Sequence, residues 1–219
     1  MTVVDLKTKL LEEAKSRLEA GDYETAIPLL EKVARFARTD VEVAKFAHVS
    51  LAAHFFEQGD PRSVEHFRAA LLADPSDDRV RYCLGHAHLD AEQWEDAVRA
   101  FESALELRHD CAEYLRSLGV ALASAGRLEE GIVVLREAAR RAPSEPFVLK
   151  DLAQALVRHA DWSEALRLLR RAVSLAPDEP IFREVLEEVS HLHEAERLAG
   201  VVVAAAPRVT RRRTPRRRR

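Results

Sequence analysis

An internal repeat of about 34 residues constrains the fold of this chain more than any other feature of its sequence. Three prolines and a histidine recur at this interval, as Pro75, His109, Pro143 and Pro177, and alanines recur with them, as Ala70, Ala104, Ala138 and Ala172. Other small residues keep the same phase, namely Gly85, Gly119 and Ala153, and then Ala97, Gly131 and Ala165. Each unit contains two stretches with apolar residues at helical spacing. The repeat therefore predicts an array of stacked helical hairpins.

The best-formed copy runs from Tyr82 to Leu107, with the sequence YCLGHAHLDAEQWEDAVRAFESALEL. Its first helix carries one stripe and its second helix another, made of Leu84, Gly85 and His88, and of Ala97, Phe101 and Ala104. Because Gly85 and Ala97 have almost no side chain, we expect the two helix backbones to approach closely there. Trp94 and Phe101 are expected to fill the space beyond that contact.

These copies resemble the tetratricopeptide repeat family, whose pattern has Trp, Leu-Gly and Tyr in the first helix, followed by Ala, Phe and Pro. At these positions the best copy has Arg81, Leu84-Gly85, His88, Ala97, Phe101 and His109. Three positions have therefore changed type. The resemblance implies an all-α fold, a right-handed superhelical solenoid of helix-turn-helix repeats. It implies no particular chemistry, because the family is defined by a scaffold.

We predict five repeats and a C-terminal capping helix, which together make eleven helices over residues 1–200. The second repeat is expected to begin near Asp40, and Asp110 to cap the first helix of the fourth repeat. The last helix is predicted to end at about Leu198, closed by Gly200. It carries Glu187 where earlier repeats have Gly or Ala, so we expect a solvated face that ends the array.

Residues 201–219 are predicted to form a disordered, Arg-rich tail. The chain has a net charge of −3, but the eight arginines from Arg208 to Arg219 have no acidic residue among them, so residues 1–207 carry −11. One interpretation is contact with nucleic acid or another polyanion, through Arg211, Arg212, Arg213, Arg216, Arg217, Arg218 and Arg219. The other is a solubilising tail that lies over the acidic body of the protein.

The sequence does not indicate an enzyme, a metal site, a cofactor site or a membrane protein. It has no Gly-rich phosphate loop and no GxSxG, HExxH or CxxC motif. His86 and His88, two residues apart on a helix, are expected to point to nearly opposite faces. The start of the chain lacks the apolar core of a secretion signal, and residues 201–206 are too few to span a bilayer. We therefore expect a cytoplasmic protein without cofactors, and the excess of Arg over Lys favours a bacterial, GC-rich genome.

The first helices of the repeats also carry side chains that point away from their hairpin partners. Stacking of the repeats would align these side chains in one concave wall, apolar in the early repeats and more basic in the late ones. The predicted peptide-binding residues are Phe46, Val49, Phe56, Arg79, Tyr82, His86, Arg116, Lys150 and Arg158. Alternatively, Phe46 and Phe56 simply pack against neighbouring first helices.

The leading functional prediction is a non-catalytic adaptor or scaffold that binds a peptide or partner segment in this concave groove. The alternative is a nucleic-acid-associated protein, in which the tail supplies affinity and the array recruits a partner. Both functions require another macromolecule, and neither requires a catalytic group.

Overall fold

The computed structural model describes residues 3–37 and 40–205, which form eleven α-helices and no strand. The helices are α1 (Val3–Glu19), α2 (Tyr23–Phe36), α3 (Val41–Glu57), α4 (Arg62–Ala73), α5 (Asp78–Asp90), α6 (Trp94–Leu107), α7 (Ala112–Ser124), α8 (Leu128–Arg141), α9 (Pro146–Arg158), α10 (Trp162–Leu175) and α11 (Pro180–Ala205). The predicted all-α repeat array is confirmed.

The helices pack in consecutive hairpins, each of which contacts the next. The first helix of each hairpin is odd-numbered and the second is even-numbered, and α11 packs against α9 and α10 without a hairpin partner in the described part of the chain. Along one side of the array α5, α7, α9 and α11 also contact each other in succession. The side on which helices crowd together is the inner side of a curved array, so the first helices form its concave wall and the second helices its outer face.

Glycines inside the hairpins have two different packing roles. A Cβ atom added to Gly131 of α8 would lie 2.7 Å from the backbone oxygen of Gly119 in α7, so these two backbones are in close contact. A Cβ atom added to Gly85 would instead lie 2.5 Å from the ring of Phe101. The third repeat therefore uses its glycine to admit an aromatic ring, where we had expected contact with the backbone at Ala97.

Three first helices, α3, α5 and α9, begin at a carboxylate that accepts hydrogen bonds from the free N–H groups of the first turn. Asp40 accepts from Val43 before α3, at the predicted start of the second repeat, and Asp77 accepts from Arg79 and Val80 at 3.0 Å before α5. The prediction that Asp110 caps α7 is wrong. The capping position is Cys111, 34 residues after Asp77, and it makes no capping hydrogen bond. Asp110 lies one residue too early to reach these N–H groups.

Replacing Cys111 with aspartate should therefore raise the free energy of unfolding by about 1 kcal/mol, because a carboxylate there would accept from the first turn of α7. Urea unfolding of Cys111→Asp against the parent measures this gain. Cys111→Ala controls for loss of the thiol, and Asp110→Ala should leave stability unchanged within about 0.5 kcal/mol. Equal stability of the Asp and Ala variants would contradict the capping argument.

A histidine pair lies between the helices of the second hairpin. The Nδ1 atoms of His48 in α3 and His66 in α4 are 3.1 Å apart. Burial lowers the pKa of both rings, and the charge of His66 lowers that of His48 further. The carboxylates of Glu31 and Glu65 oppose the shift of the His66 pKa without cancelling it. Both rings therefore bind a proton less readily in the folded protein than in the unfolded chain.

This difference gives the stability a defined pH dependence. Since the folded pKa values lie below the ordinary histidine value of about 6.5, the unfolded chain takes up protons first, and the free energy of unfolding should fall as the pH drops below that value. Thermal unfolding at about pH 7.5 and pH 5.5 measures the loss. His66→Gln should reduce it, whereas His109→Gln, at an exposed position, should not. The pair is not the source if both variants lose as much stability as the parent.

The last helix is longer than predicted, since α11 continues through Gly200 to Ala205. A single glycine inside a helix costs only about 1 kcal/mol relative to alanine, and no proline follows it before Pro207. The boundary between array and tail at residue 200 stays a prediction. All eight arginines of the predicted tail lie outside the described residues.

Candidate partner-binding groove

The predicted groove residues all lie on first helices, on α3, α5, α7 and α9. Phe46, Val49 and Phe56 of α3 are partly buried and pack against the apolar cores of the first and second hairpins. The ammonium group of Lys15 lies 5.5 Å from the centre of the Phe46 ring. Phe46 and Phe56 thus contribute to packing, as the alternative interpretation held for them, while part of the surface of all three side chains stays accessible to a partner.

An aromatic and polar cluster forms the middle of the wall, where α5 meets α7. The Tyr82 ring stacks on Tyr114 with centroids 4.6 Å apart and meets the edge of His86 at the same distance. The Tyr82 hydroxyl donates to Glu113 at 3.0 Å and accepts from Ser117 at 3.3 Å. Tyr82 and His86 thus lie together as predicted, but the sequence reading missed Tyr114 and Ser117. These two residues could have been found in the sequence, because each carries a hydroxyl group on a helix face that is otherwise apolar.

Two ionisable groups of this cluster, Tyr82 and His86, have pKa values shifted in favour of their neutral forms. Burial and the charge of Arg116 lower the pKa of His86, and burial raises the pKa of Tyr82. Ser117 Oγ lies 3.3 Å from His86 Nε2, a nucleophile and a base within hydrogen-bonding range. However, Ser117 is only 3% exposed, so a substrate cannot reach its hydroxyl group. The phenol, the imidazole and the Glu113 carboxylate can instead exchange hydrogen bonds with a bound backbone.

A cationic cluster follows where α7 meets α9. Arg116 donates to Asp151 Oδ2 at 3.1 Å, and Lys150 approaches Asp151 Oδ1 at 3.0 Å. Asp151 is 9% exposed, so the two cations share one almost buried carboxylate and the cluster keeps one positive charge in excess. The sequence did not predict a role for Asp151, because its pairing with Arg116 depends on how α9 packs against α7.

The two remaining predicted residues are Arg79 of α5 and Arg158 of α9. Arg79 is exposed, and its side chain makes no hydrogen bond or ion pair within the described residues. Arg158 donates to the backbone oxygen of Ala123 at 2.7 Å and so joins α9 to the last turn of α7. Arg158 therefore has a structural contact that sequence spacing did not reveal. Its position at a helix C-terminus, where carbonyl groups lack partners, favours a guanidinium group there.

A cavity of about 370 Å³ opens on the concave wall beside Arg158. Its apolar lining comes from α7, α8, α9 and α11, and includes Val120, Leu135, Val157, Val185, Val189 and Leu192. Asp151, Gln154, Arg158 and Glu188 place polar atoms around it. The sequence predicts only a capping role for α11, and spacing within one helix does not reveal the cavity, because four separate helices form it.

The described residues offer neither a metal site nor a membrane-spanning helix. No group of three or more His, Cys, Asp and Glu side chains is placed there to hold a metal ion. His88 is buried with Nδ1 2.6 Å from Gln93 Oε1, whereas His86 belongs to the groove cluster. Within residues 3–37 and 40–205, no helix has the length and apolar character needed to cross a membrane.

Comparison with known sequences identifies the repeat. Two family models, both described as tetratricopeptide repeat, match residues 82–146 and 122–188. Tetratricopeptide repeat protein 37 of Xenopus laevis is 34% identical over 94 residues, and Superkiller protein 3 of Saccharomyces cerevisiae is 30% identical over 95 residues. Each alignment covers 42% of this chain but 6% of the relative. The chain thus spans a small part of these much longer proteins.

Solved structures agree on the fold. MamA from Desulfovibrio magneticus RS-1 superposes with a TM-score of 0.70 at 24% identity, over 79% of this chain and 97% of that protein. YrrB, described as a TPR protein with an unusual peptide-binding site, superposes with a TM-score of 0.67 at 18% identity, over 81% of this chain and 90% of YrrB. At these identities the similarity shows the fold alone. Repeat period, hairpin packing and sequence matches agree, and over residues 82–188 the chain consists of tetratricopeptide repeats.

Proposed function

We propose that this protein is a non-catalytic adaptor that binds an extended segment of a partner protein along the concave wall from α3 to α11. The observation that carries the proposal is the open apolar cavity beside the cluster of Arg116, Asp151 and Lys150. An apolar cavity with a few polar groups at its edge is the usual form of a recognition site. The scaffold role of repeat arrays supports it, because their curved face offers a long binding surface.

The lining defines the chemistry of a matching segment. A bulky apolar side chain would fill the cavity between Val157 and Val189, and burial of such an anchor typically supplies much of the affinity. An acidic side chain a short distance along the segment would meet the excess positive charge at Arg116 and Lys150. Tyr82 and Gln154 can form hydrogen bonds with the peptide backbone between these contacts and along the wall.

Selection of peptides from a random library on the full chain tests this function. We expect enrichment of sequences that combine a large apolar residue with a nearby acidic one. Val189→Glu should weaken the selected peptides about tenfold or more, because it places a charge in the apolar cavity. Glu102→Gln, on the exposed outer face, is the matched surface control. The proposal is wrong if selected peptides bind both variants equally, or if they protect the second helices from labelling.

A further inference from the structure

Six exposed arginines line the outer face of the fourth and fifth hairpins, on the side of the array away from the groove. They are Arg136, Arg140 and Arg141 of α8, and Arg167, Arg170 and Arg171 of α10. We call this surface the arginine face. None of the six was singled out as a candidate binding residue from the sequence, where they look like part of an ordinary solvated helix surface.

Two glutamates join the arginines into one surface. Glu164 of α10 pairs with Arg136 of α8 at 2.5 Å and with Arg167 of its own helix at 3.5 Å. Glu137 pairs with Arg140 and Arg141 within α8. The ion pair between Arg136 and Glu164 joins α8 to α10, so the arginines of these two helices lie side by side.

These ion pairs leave part of the positive charge uncompensated. The two helices together carry six arginines and four glutamates, a net charge of +2, and Arg170 and Arg171 make no ion pair within the described residues. The side chains of Arg140 and Arg167 are 77% and 71% exposed. The neighbouring outer helix α6, in contrast, carries four acidic residues and one arginine. The net positive charge of α8 and α10 therefore contrasts with the acidic surface of α6.

The composition of the arginine face favours nucleic acid over an acidic protein as the partner. Protein interfaces usually have a desolvated apolar centre with aromatic anchors. The large apolar side chains exposed on α8 and α10 are Val133 and Leu175, with no aromatic residue among them. Nucleic-acid interfaces are instead polar, wet and strongly positive. Guanidinium groups bind phosphate through two parallel hydrogen bonds, and arginines three or four residues apart lie on the same face of a helix, with their Cβ atoms about 5–6 Å apart.

We propose that the arginine face binds the phosphate backbone of nucleic acid without reading its sequence. This proposal does not depend on the groove, which lies on the opposite side of the array. It also differs from the prediction for residues 208–219, because it places phosphate contacts on the folded repeats themselves.

Fluorescence anisotropy with labelled 20-nucleotide probes tests the proposal on the full chain, with single-stranded RNA, single-stranded DNA and duplex DNA as separate arms. We compare the parent with the triple variant Arg167→Gln, Arg170→Gln and Arg171→Gln. If each arginine neutralises one phosphate of a single strand, the slope of log affinity against log salt should become shallower by about 2. At 0.1 M salt this corresponds to a loss of affinity of up to about 100-fold.

Two controls separate the arginine face from other basic groups. Arg35→Gln, Arg68→Gln and Arg99→Gln together remove the same charge from exposed positions on α2, α4 and α6, and should leave the salt slope unchanged. A variant with all eight arginines of residues 208–219 changed to Gln should retain binding, and adding the triple substitution to it should weaken that binding by up to about 100-fold. The proposal is overturned if no arm binds the parent, if both triple variants behave alike, or if the tail variant alone removes all binding. Tighter binding of polyglutamate than of any nucleic acid would likewise overturn it, in favour of an acidic protein.

Discussion

Replacing Gly131 with alanine should lower the free energy of unfolding by about 3 kcal/mol, the largest stability effect that we expect from adding one methyl group. The added Cβ atom would lie 2.7 Å from the backbone oxygen of Gly119 and 3.0 Å from the backbone nitrogen of Ala123. Both neighbours are helical backbone, so relief requires α7 and α8 to separate. Since each repeat is stabilised by its neighbours, the loss should spread to the adjoining hairpins. Urea unfolding gives the free energy directly.

The matched comparison is Gly85→Ala, where the added atom would meet the ring of Phe101. A smaller side chain at residue 101 removes that obstacle. We therefore expect Gly85→Ala to be much less costly in a Phe101→Leu background than in the parent, and the double-mutant cycle to report the coupling. No equivalent side-chain change should rescue Gly131→Ala. A cost below about 1 kcal/mol at Gly131 would show that the α7–α8 contact is looser than described.

The second large effect is expected for Asp151→Asn, which should lower the free energy of unfolding but raise the affinity for an acidic peptide. Asp151→Asn removes the negative charge shared by Arg116 and Lys150, so the free energy of unfolding should fall by about 2 kcal/mol. The same change leaves both cations unpaired on the groove wall. An acidic peptide selected on the parent should therefore bind the Asp151→Asn variant about tenfold more tightly, because it no longer competes with an internal carboxylate.

Two variants distinguish this competition from a general loosening of the groove. Arg116→Gln should weaken the acidic peptide, whereas Glu113→Gln, which disturbs the hydrogen bond to Tyr82, should not strengthen it to the same degree. The gain in Asp151→Asn should also shrink as salt is raised. Weaker binding of the acidic peptide by Asp151→Asn would show that this carboxylate organises the site and does not compete for it.

Local spacing in the sequence was sufficient to predict the repeat architecture. The interval from Ala70 to Ala172 and the stripes in each unit placed the helices and paired them in hairpins, because a stripe at helical spacing identifies the face that must be buried. The same stripes brought Tyr82 and His86 together. Helix ends were predicted less well. Asp110 is a residue type that often caps helices, but it lies one residue before the capping position. Gly200 is a residue type that often ends helices, but a single glycine costs too little free energy to stop one.

Contacts between side chains of different helices were decided only by the tertiary structure. Asp151 joins Arg116 to Lys150, Glu164 joins α8 to α10, and α11 completes the cavity beside Val157. A repeat pattern states which face of each helix points inward. It does not state how far one helix is rotated or shifted against the next, and a shift of one residue moves a charged atom by more than the length of a hydrogen bond. The fold of this protein thus follows from the spacing of its small and apolar residues, whereas its candidate binding surfaces depend on the relative placement of separate helices.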